Sequence, residues 1–323
     1  MPTPPSPPAC IRVGLVGAGR TQQGLGPYLA RALELAGARV TGVAGRDLLG
    51  ARRGAMLLAD QLAHPVEAAA SAVELTARVD ALVIASPVAA HLAGLDAALG
   101  AGIPCLCEKP LVDWRQAAAG QLRLEAFAGR GLLLDENCQW PFVLGALFDL
   151  HPDLAGAPVR SVAMGLGPAG AGPTMLVDSL SHVISVVQAL ATLDERAPVA
   201  AVRQSHAAAL AEENSLSFEL AAATGPIAVH LHLRRCREQP RPAWIEVNGV
   251  RMDRQIGADY ALSFAAADGR QAKVRDPLHQ LVYRFIALLQ AKDIERTAAL
   301  VASAALRLRL YSDILHALDV AGR

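Results

Sequence analysis

Lys109, Asp178 and His182 are the residues of this 323-residue chain whose types and spacing best suit moving a proton. Lys109 stands in "CLCEKPL" (105–111), between Glu108 and Pro110, at the end of an apolar run that reads as a buried strand. Charge at such a strand end is either surface punctuation or the place where an open α/β sheet keeps its chemistry. Asp178 and His182 lie four residues apart in the apolar-periodic segment "TMLVDSLSHVISVVQALATL", so they share one helical face. An imidazole with an ordinary pKa of about 6.5 suits acid–base work near neutral pH. An ammonium can hydrogen-bond a hydroxyl or carbonyl oxygen and stabilise charge developing there. Taken alone, Lys109 also reads as a snorkelling surface lysine. The Asp178–His182 pair also reads as a helix-surface ion pair or a satisfied core histidine. The elements that position these residues must decide.

The first half of the chain alternates. Strand-like runs "IRVGLVG" (11–17), "RVTGVAG" (39–45), "DALVIAS" (80–86), "IPCLCEK" and "LLLDENC" are separated by helix-like runs such as "GPYLARALELAG" (26–37) and "LLGARRGAMLLADQLA". "PVEAAASAVEL" is ambiguous, a short strand followed by helix or loop. Apolar strands alternating with amphipathic helices predict a doubly wound parallel sheet covered on both faces.

The loop after the first strand is "GAGRTQQGLGP". Gly17 permits a tight turn, and Gly19 lets the backbone approach a pyrophosphate held at the N-terminus of the next helix. Pro27 suits the first turn of that helix. A usual third glycine is missing, since position 22 is glutamine, and Gly24 and Gly26 follow instead. Arg20, Thr21 and Gln22 complete the candidate cofactor contacts of this loop. The second strand ends in Gly45 and Arg46, where an NAD site places an acid for the ribose hydroxyls; a small residue with a guanidinium favours the 2′-phosphate of NADP over NAD. Asp47 remains within reach of a ribose.

With "DALVIASPVAAHLAGLDAALGAGIPCLCEKPL" in view, the first half resembles the glucose-fructose oxidoreductase / inositol 2-dehydrogenase / MocA family. The features that carry the resemblance are Ser86-Pro87 after a strand, His91 a few residues on, then a helix and a strand ending Glu108-Lys109-Pro110. The resemblance implies that Lys109 faces substrate near a nicotinamide, aimed by a proline held in cis. Glu108 is then structural, orienting Lys109 or the cofactor ribose. Ser86 and Pro87 shape the loop beside the cofactor, and His91 packs or hydrogen-bonds at its helix start. The family's second signature is an aspartate and histidine at the spacing of Asp178 and His182, opposite the nicotinamide. His182 would be the general base, with Asp178 binding a substrate hydroxyl or orienting the relay.

The second half changes grammar. After the helix-like "WPFVLGALFDLHPDL" come a strand, the long helix holding Asp178 and His182, and six strand-like runs in succession: "AAVRQSH", "SLSFELAAA", "IAVHLHLR", "AWIEVNG", "VRMDRQ" and "YALSFAAA". Two helices close the chain. Successive strands predict an α+β domain with a large open, mostly antiparallel sheet. The expected organisation is a leader without fixed structure over 1–10, a dinucleotide-binding Rossmann domain over 11–136, and a substrate-binding and oligomerisation domain over 137–323. Two positions depart from the resemblance. Val186 stands where relatives often carry another acid, and "ENCQWPF" stands where many have an arginine. Gln139 and Trp140 are the candidate substrate contacts there, and the missing charges point to a neutral or unusual polyol.

Composition narrows the partners. Charged residues make up 19% and cancel to a formal net charge of +0, and the densest basic stretch, "RRCREQPRPAW" (234–244), is diluted by prolines and reads as a solvated loop, so nucleic-acid binding is not expected. Five cysteines without paired spacing argue against a disulfide framework, and no metal site is expected. The proline-rich "MPTPPSPPAC" lacks the apolar core of a secretory signal, and no membrane span or membrane partner is expected; the expectation is a cytoplasmic protein. The expected function is hydride transfer between NADP, or NAD, and a secondary alcohol or ketone of a sugar, cyclitol or related small molecule. The expected assembly is a homodimer or homotetramer through the open sheet. The alternatives are a non-catalytic dinucleotide-binding sensor or scaffold, and a lyase or hydrolase that recycles its cofactor.

Overall fold

The computed structural model describes residues 10–19, 25–205, 212–257 and 261–321. Arg20, Thr21 and Gln22, and nine of the ten residues of the expected leader, lie outside the described residues.

The chain forms two compact units, neither a single contiguous span: residues 282–302 join the first unit, and residues 109–121 join the second. The first unit is built on β1 (Arg12–Val16), α1 (Gly26–Leu35), β2 (Arg39–Ala44), α2 (Leu48–Leu62), β3 (Glu67–Ala69), α3 (Ala72–Thr76), β4 (Ala81–Ile84), α4 (His91–Ala101), β5 (Cys105–Cys107), α5 (Ala117–Gly129, shared with the second unit) and β6 (Leu134–Glu136). The six strands are parallel in the order β3-β2-β1-β4-β5-β6. This is the dinucleotide-binding order, with the switch point between β1 and β4. Val13, Leu15, Val83, Leu82, Cys105 and Cys107 have no exposed surface, as strands covered on both faces require. The ambiguous segment resolves into β3 and α3, with Ser71 capping the helix by accepting from Glu74 N.

The second unit holds α6 (Leu144–Leu150), β7 (Ser161–Leu166), α7 (Thr174–Leu190), β8 (Ala200–Ser205), β9 (Glu213–Ala222), β10 (Gly225–Arg234), β11 (Ala243–Val247), β12 (Val250–Ile256), β13 (Leu262–Ala266) and β14 (Gln271–Val274). α8 (Pro277–Ala291) and α9 (Ile294–Ala321) are divided between the units. The eight strands run β14-β13-β12-β11-β7-β10-β9-β8, and all pairs are antiparallel except β7 with β10. Strand alternation gives this sheet one apolar face, with Ile227, Val229, Leu231, Ile245 and Met252 buried. α7 packs on β7 and β10. His230, His232 and Trp244 occupy the opposite face, where Trp244 lies across Gly165 so closely that a Cβ there would meet its indole nitrogen at 2.0 Å. The segment expected as one helix from Trp140 opens instead as a short 3-10 turn, Trp140–Val143; α6 follows.

Candidate functional site

The cofactor loop belongs to the first unit. Gly17, at φ +95°, ends β1 and approaches the end of β4 so nearly that a Cβ would lie 2.8 Å from the Ser86 Cα. Gly26 opens α1, and a Cβ there would lie 2.4 Å from the Gly17 carbonyl oxygen. Gly26 therefore does the close helix–strand packing that a third loop glycine would do, four positions later than the usual spacing. Gly19 is exposed at the edge of the described segment. The Ser86 hydroxyl is buried with no hydrogen-bond partner among the described residues, an orphan beside the loop that a bound group would satisfy. Pro87 is exposed, and its carbonyl accepts from Ala90 N at 2.9 Å. His91 is buried, and its Nε2 donates to the Ser86 carbonyl at 2.8 Å, which fixes the tautomer and ties the loop down. These features fit a dinucleotide.

At the end of β2 the Arg46 side chain is 97% exposed, and its nearest carboxylate, Asp47, is 3.8 Å away. Asp47 caps α2 by accepting from Gly50 N at 2.7 Å, so that oxygen is already engaged in the fold. At the ends of β5 and β6, the Asn137 amide donates to Glu108, and Asn137 N donates to the Cys107 carbonyl at 2.8 Å. Glu108 is thus anchored from β6.

The candidate proton-moving residues gather in the second unit. Lys109 immediately follows Glu108, and its peptide bond to Pro110 is cis. Its ammonium donates to the Asp178 carboxylate and, at 2.8 Å, to the Asp178 backbone carbonyl. The lysine side chain is 14% exposed and the aspartate 62%. Burial pushes the Asp178 pKa up, but Lys109, His182 and Arg241 pull it down further, so it stays ionised. His182, one turn along α7, has its Nδ1 buried with no hydrogen-bond partner among the described residues. Burial first, then the charge of Lys109, lowers its pKa to about 3 against the opposing pull of Asp178. The imidazole is therefore neutral at ordinary pH.

Trp140, 6% exposed, presents its indole edge-on to His182 with ring centroids 6.3 Å apart, and Phe264 holds it from 6.5 Å. Gln139, half-buried, precedes it and accepts from Phe142 N through its backbone carbonyl. Three arginines not singled out from the sequence join this cluster: Arg307 and Arg254, whose charges reach His182, and Arg241, whose charge reaches Asp178. A signal for two of them was present. Asn248-Gly249 closes a two-residue hairpin between β11 and β12, and pairing Trp244 with Asp253 brings Arg254 back towards Arg241. Among the described residues, no group of three or more His, Cys, Asp or Glu could hold a metal, and no helix is long and apolar enough to cross a membrane.

A parallel nucleotide-binding sheet joined in one chain to a large antiparallel sheet defines a two-unit dinucleotide-binding protein. Residues 11–134 match the model of the GFO_IDH_MocA oxidoreductase family with an NAD-binding Rossmann fold. The chain is similar to an inositol 2-dehydrogenase of Cereibacter sphaeroides, 34% identical over 125 residues; that alignment spans 38% of this chain and only 35% of the relative. Its fold is similar to a UDP-N-acetylglucosamine 3-dehydrogenase from Acidithiobacillus ferrooxidans, at 22% identity and a TM-score of 0.62 over 94% of this chain and 97% of that one. It is also similar to a 3-ketoreductase from Actinomadura kijaniata crystallised with NADP, at 21% identity and a TM-score of 0.63 over 94% and 96%. At these identities the two structures speak for the fold.

Proposed function

We propose that the chain is a nicotinamide-dependent dehydrogenase or reductase that interconverts a secondary alcohol and a ketone on a sugar, cyclitol or related small molecule. The observation that carries this reading is Lys109. It is bonded to Glu108 at the carboxyl end of β5, where a doubly wound sheet keeps its ligands, and it is ion-paired to the helix that presents His182. Gly17, Gly19, Ser86 and Glu108 are the described residues that would hold the dinucleotide, and the exposed Arg46, with Asp47 spent as a cap, favours NADP over NAD. When bound, the nicotinamide accepts or returns the hydride.

The chain's own residues handle the oxygen. In oxidation the carbinol O–H bond breaks and its proton passes to His182, whose neutral ring is the form able to accept it. The depressed pKa makes the imidazolium a strong acid, so it hands the proton on rather than keeping it. The Lys109–Asp178 pair is the adjacent relay. In reduction His182 returns that proton, while the Lys109 ammonium hydrogen-bonds the carbonyl oxygen and stabilises the charge developing on it. Trp140 supplies an apolar wall beside the imidazole.

Fluorescence titration with NADPH and NADH, followed by a panel of sugars and cyclitols with the oxidised cofactors, tests the reading. Tighter binding of NADPH and turnover of at least one alcohol are expected. Absence of binding by both cofactors removes the dehydrogenase, and tighter NADH binding removes the role given to Arg46.

A further inference from the structure

Four cations surround the Asp178–His182 turn of α7, and Arg254 among them has no carboxylate partner among the described residues. Lys109 is matched by Asp178. Arg307, buried to 6% exposure, donates to the Gln188 side-chain oxygen at 2.6 Å. Arg254 differs. It shares the face of β12 that carries the fully buried Met252, so an arginine sits on the apolar side of the sheet. Its Nη2 donates to the Arg241 backbone carbonyl at 2.6 Å, its guanidinium carbon lies 5.6 Å from the Trp140 ring centroid, and no carboxylate among the described residues pairs with it. The neighbouring Asp253 is committed to Arg251 on the other face. Burial, and then the like charge of Arg241, pull the Arg254 pKa down. Holding the Arg254 guanidinium away from bulk water with no carboxylate beside it is unfavourable until an anion joins it. A guanidinium has five N–H donors in a planar fork suited to carboxylate or phosphate, and Arg254 spends one on the protein.

The indole of Trp140 ties this cation to the candidate chemistry, because His182 packs against the same ring. We propose that the substrate is an anion, a hydroxylated carbon skeleton bearing a carboxylate or phosphate whose oxygens are gripped by Arg254, with its reacting hydroxyl at His182 and Lys109. This rests on the dehydrogenase reading for the hydroxyl end only; the anion grip stands on Arg254 itself. It replaces the neutral polyol suggested by the family charges missing at 136–142 and at Val186. The charge is supplied instead by β12 and the segment before β11.

Calorimetric titration of the full chain, with and without nicotinamide cofactor, against glucuronate, a hexose phosphate, glucose and myo-inositol tests the proposal. One of the two acids is expected to bind at least about tenfold more tightly than its neutral counterpart, and the arm that wins identifies the oxyanion. Arg254→Gln is expected to reduce that acid-over-neutral preference roughly 10- to 100-fold, and Arg254→Lys, which keeps the charge but loses the fork, by less. Equal binding of acid and neutral compounds by the unmodified chain overturns the proposal, whatever the variants do. So does an undiminished preference in a folded Arg254→Gln. Acid preference without cofactor binding or turnover supports the anion grip and defeats the dehydrogenase reading. Turnover of neutral alcohols without acid preference does the reverse.

Discussion

The Lys109–Asp178 pair is asymmetric, and the asymmetry predicts opposite rankings for stability and for catalysis. The lysine side chain is 14% exposed and the aspartate 62%. Lys109→Met removes the buried partner and leaves a carboxylate that water can solvate, so the stability cost is expected to stay within about 1 kcal/mol. Asp178→Ala leaves the ammonium in its enclosed position with only the Asp178 backbone carbonyl, 2.8 Å away, as acceptor. That stranded charge is expected to cost about 2 kcal/mol. Catalysis should rank the other way. Lys109→Met deletes the ammonium that stabilises charge on the reacting oxygen and should reduce turnover about 100- to 10,000-fold. Asp178→Ala keeps that ammonium and should reduce turnover less. Urea unfolding of both variants, with the transition slope checked for constancy, gives the first ranking; initial rates at saturating cofactor give the second. If Lys109→Met is the more destabilising of the two, the carboxylate is not the solvated partner. If it also retains turnover, Lys109 is a structural lysine and the proposed relay is lost.

Other outcomes follow from the same geometry. A Cβ at Gly26 would press on the Gly17 carbonyl oxygen, which is backbone and cannot swing aside; Gly26→Ala should cost about 1–3 kcal/mol by thermal or urea unfolding and weaken cofactor binding with it. Arg46→Ala should weaken NADPH about tenfold and NADH much less, read by fluorescence titration. His182, lowered from 6.5 to about 3 by burial and then by Lys109, binds a proton in the unfolded chain before it does so in the folded one. The unfolded chain therefore holds more protons between those values, and stability should fall as pH drops below 6.5, by up to about 1.4 kcal/mol per pH unit, levelling near 3. His182→Gln should flatten that part of the unfolding-versus-pH curve, and an unchanged slope would show that the imidazole is not held neutral.

Most of the first unit was legible because each of its rules is local. A β-branched run ending in Gly17, a proline at the first turn of α1 and a strand ending at Glu108-Lys109-Pro110 all act within a few residues, and the parallel order follows from strand–helix alternation. The Asp178–His182 spacing is legible for the same reason, since a helix brings residues four apart together. β14 was not, because four residues, "QAKV", with only Ala272 buried, give too short an alternation to separate from a turn. Residue 22 was misleading in another way: the missing third glycine looked like a departure from the loop, yet packing had moved its task to Gly26.

The state of His182 was beyond any local rule. Its ordinary pKa made it look like a base poised at neutral pH, whereas burial and three cations drawn from distant parts of the chain set its charge. Arg307 reaches it from α9, Lys109 from the end of β5, and Arg254 from β12. Arg254 shows how such a group could still be found. In β12 the residues alternate Arg251, Met252, Asp253, Arg254, and the Asn248-Gly249 turn fixes which of them face inward. Once Met252 is placed in the core, Arg254 must join it, and a charged side chain on that face needs a reason. The protein provides a carbonyl and an indole but, among the described residues, no carboxylate. Reading hairpin register before assigning charges to a solvated surface turns an unremarkable arginine into the residue on which the proposed anion grip rests.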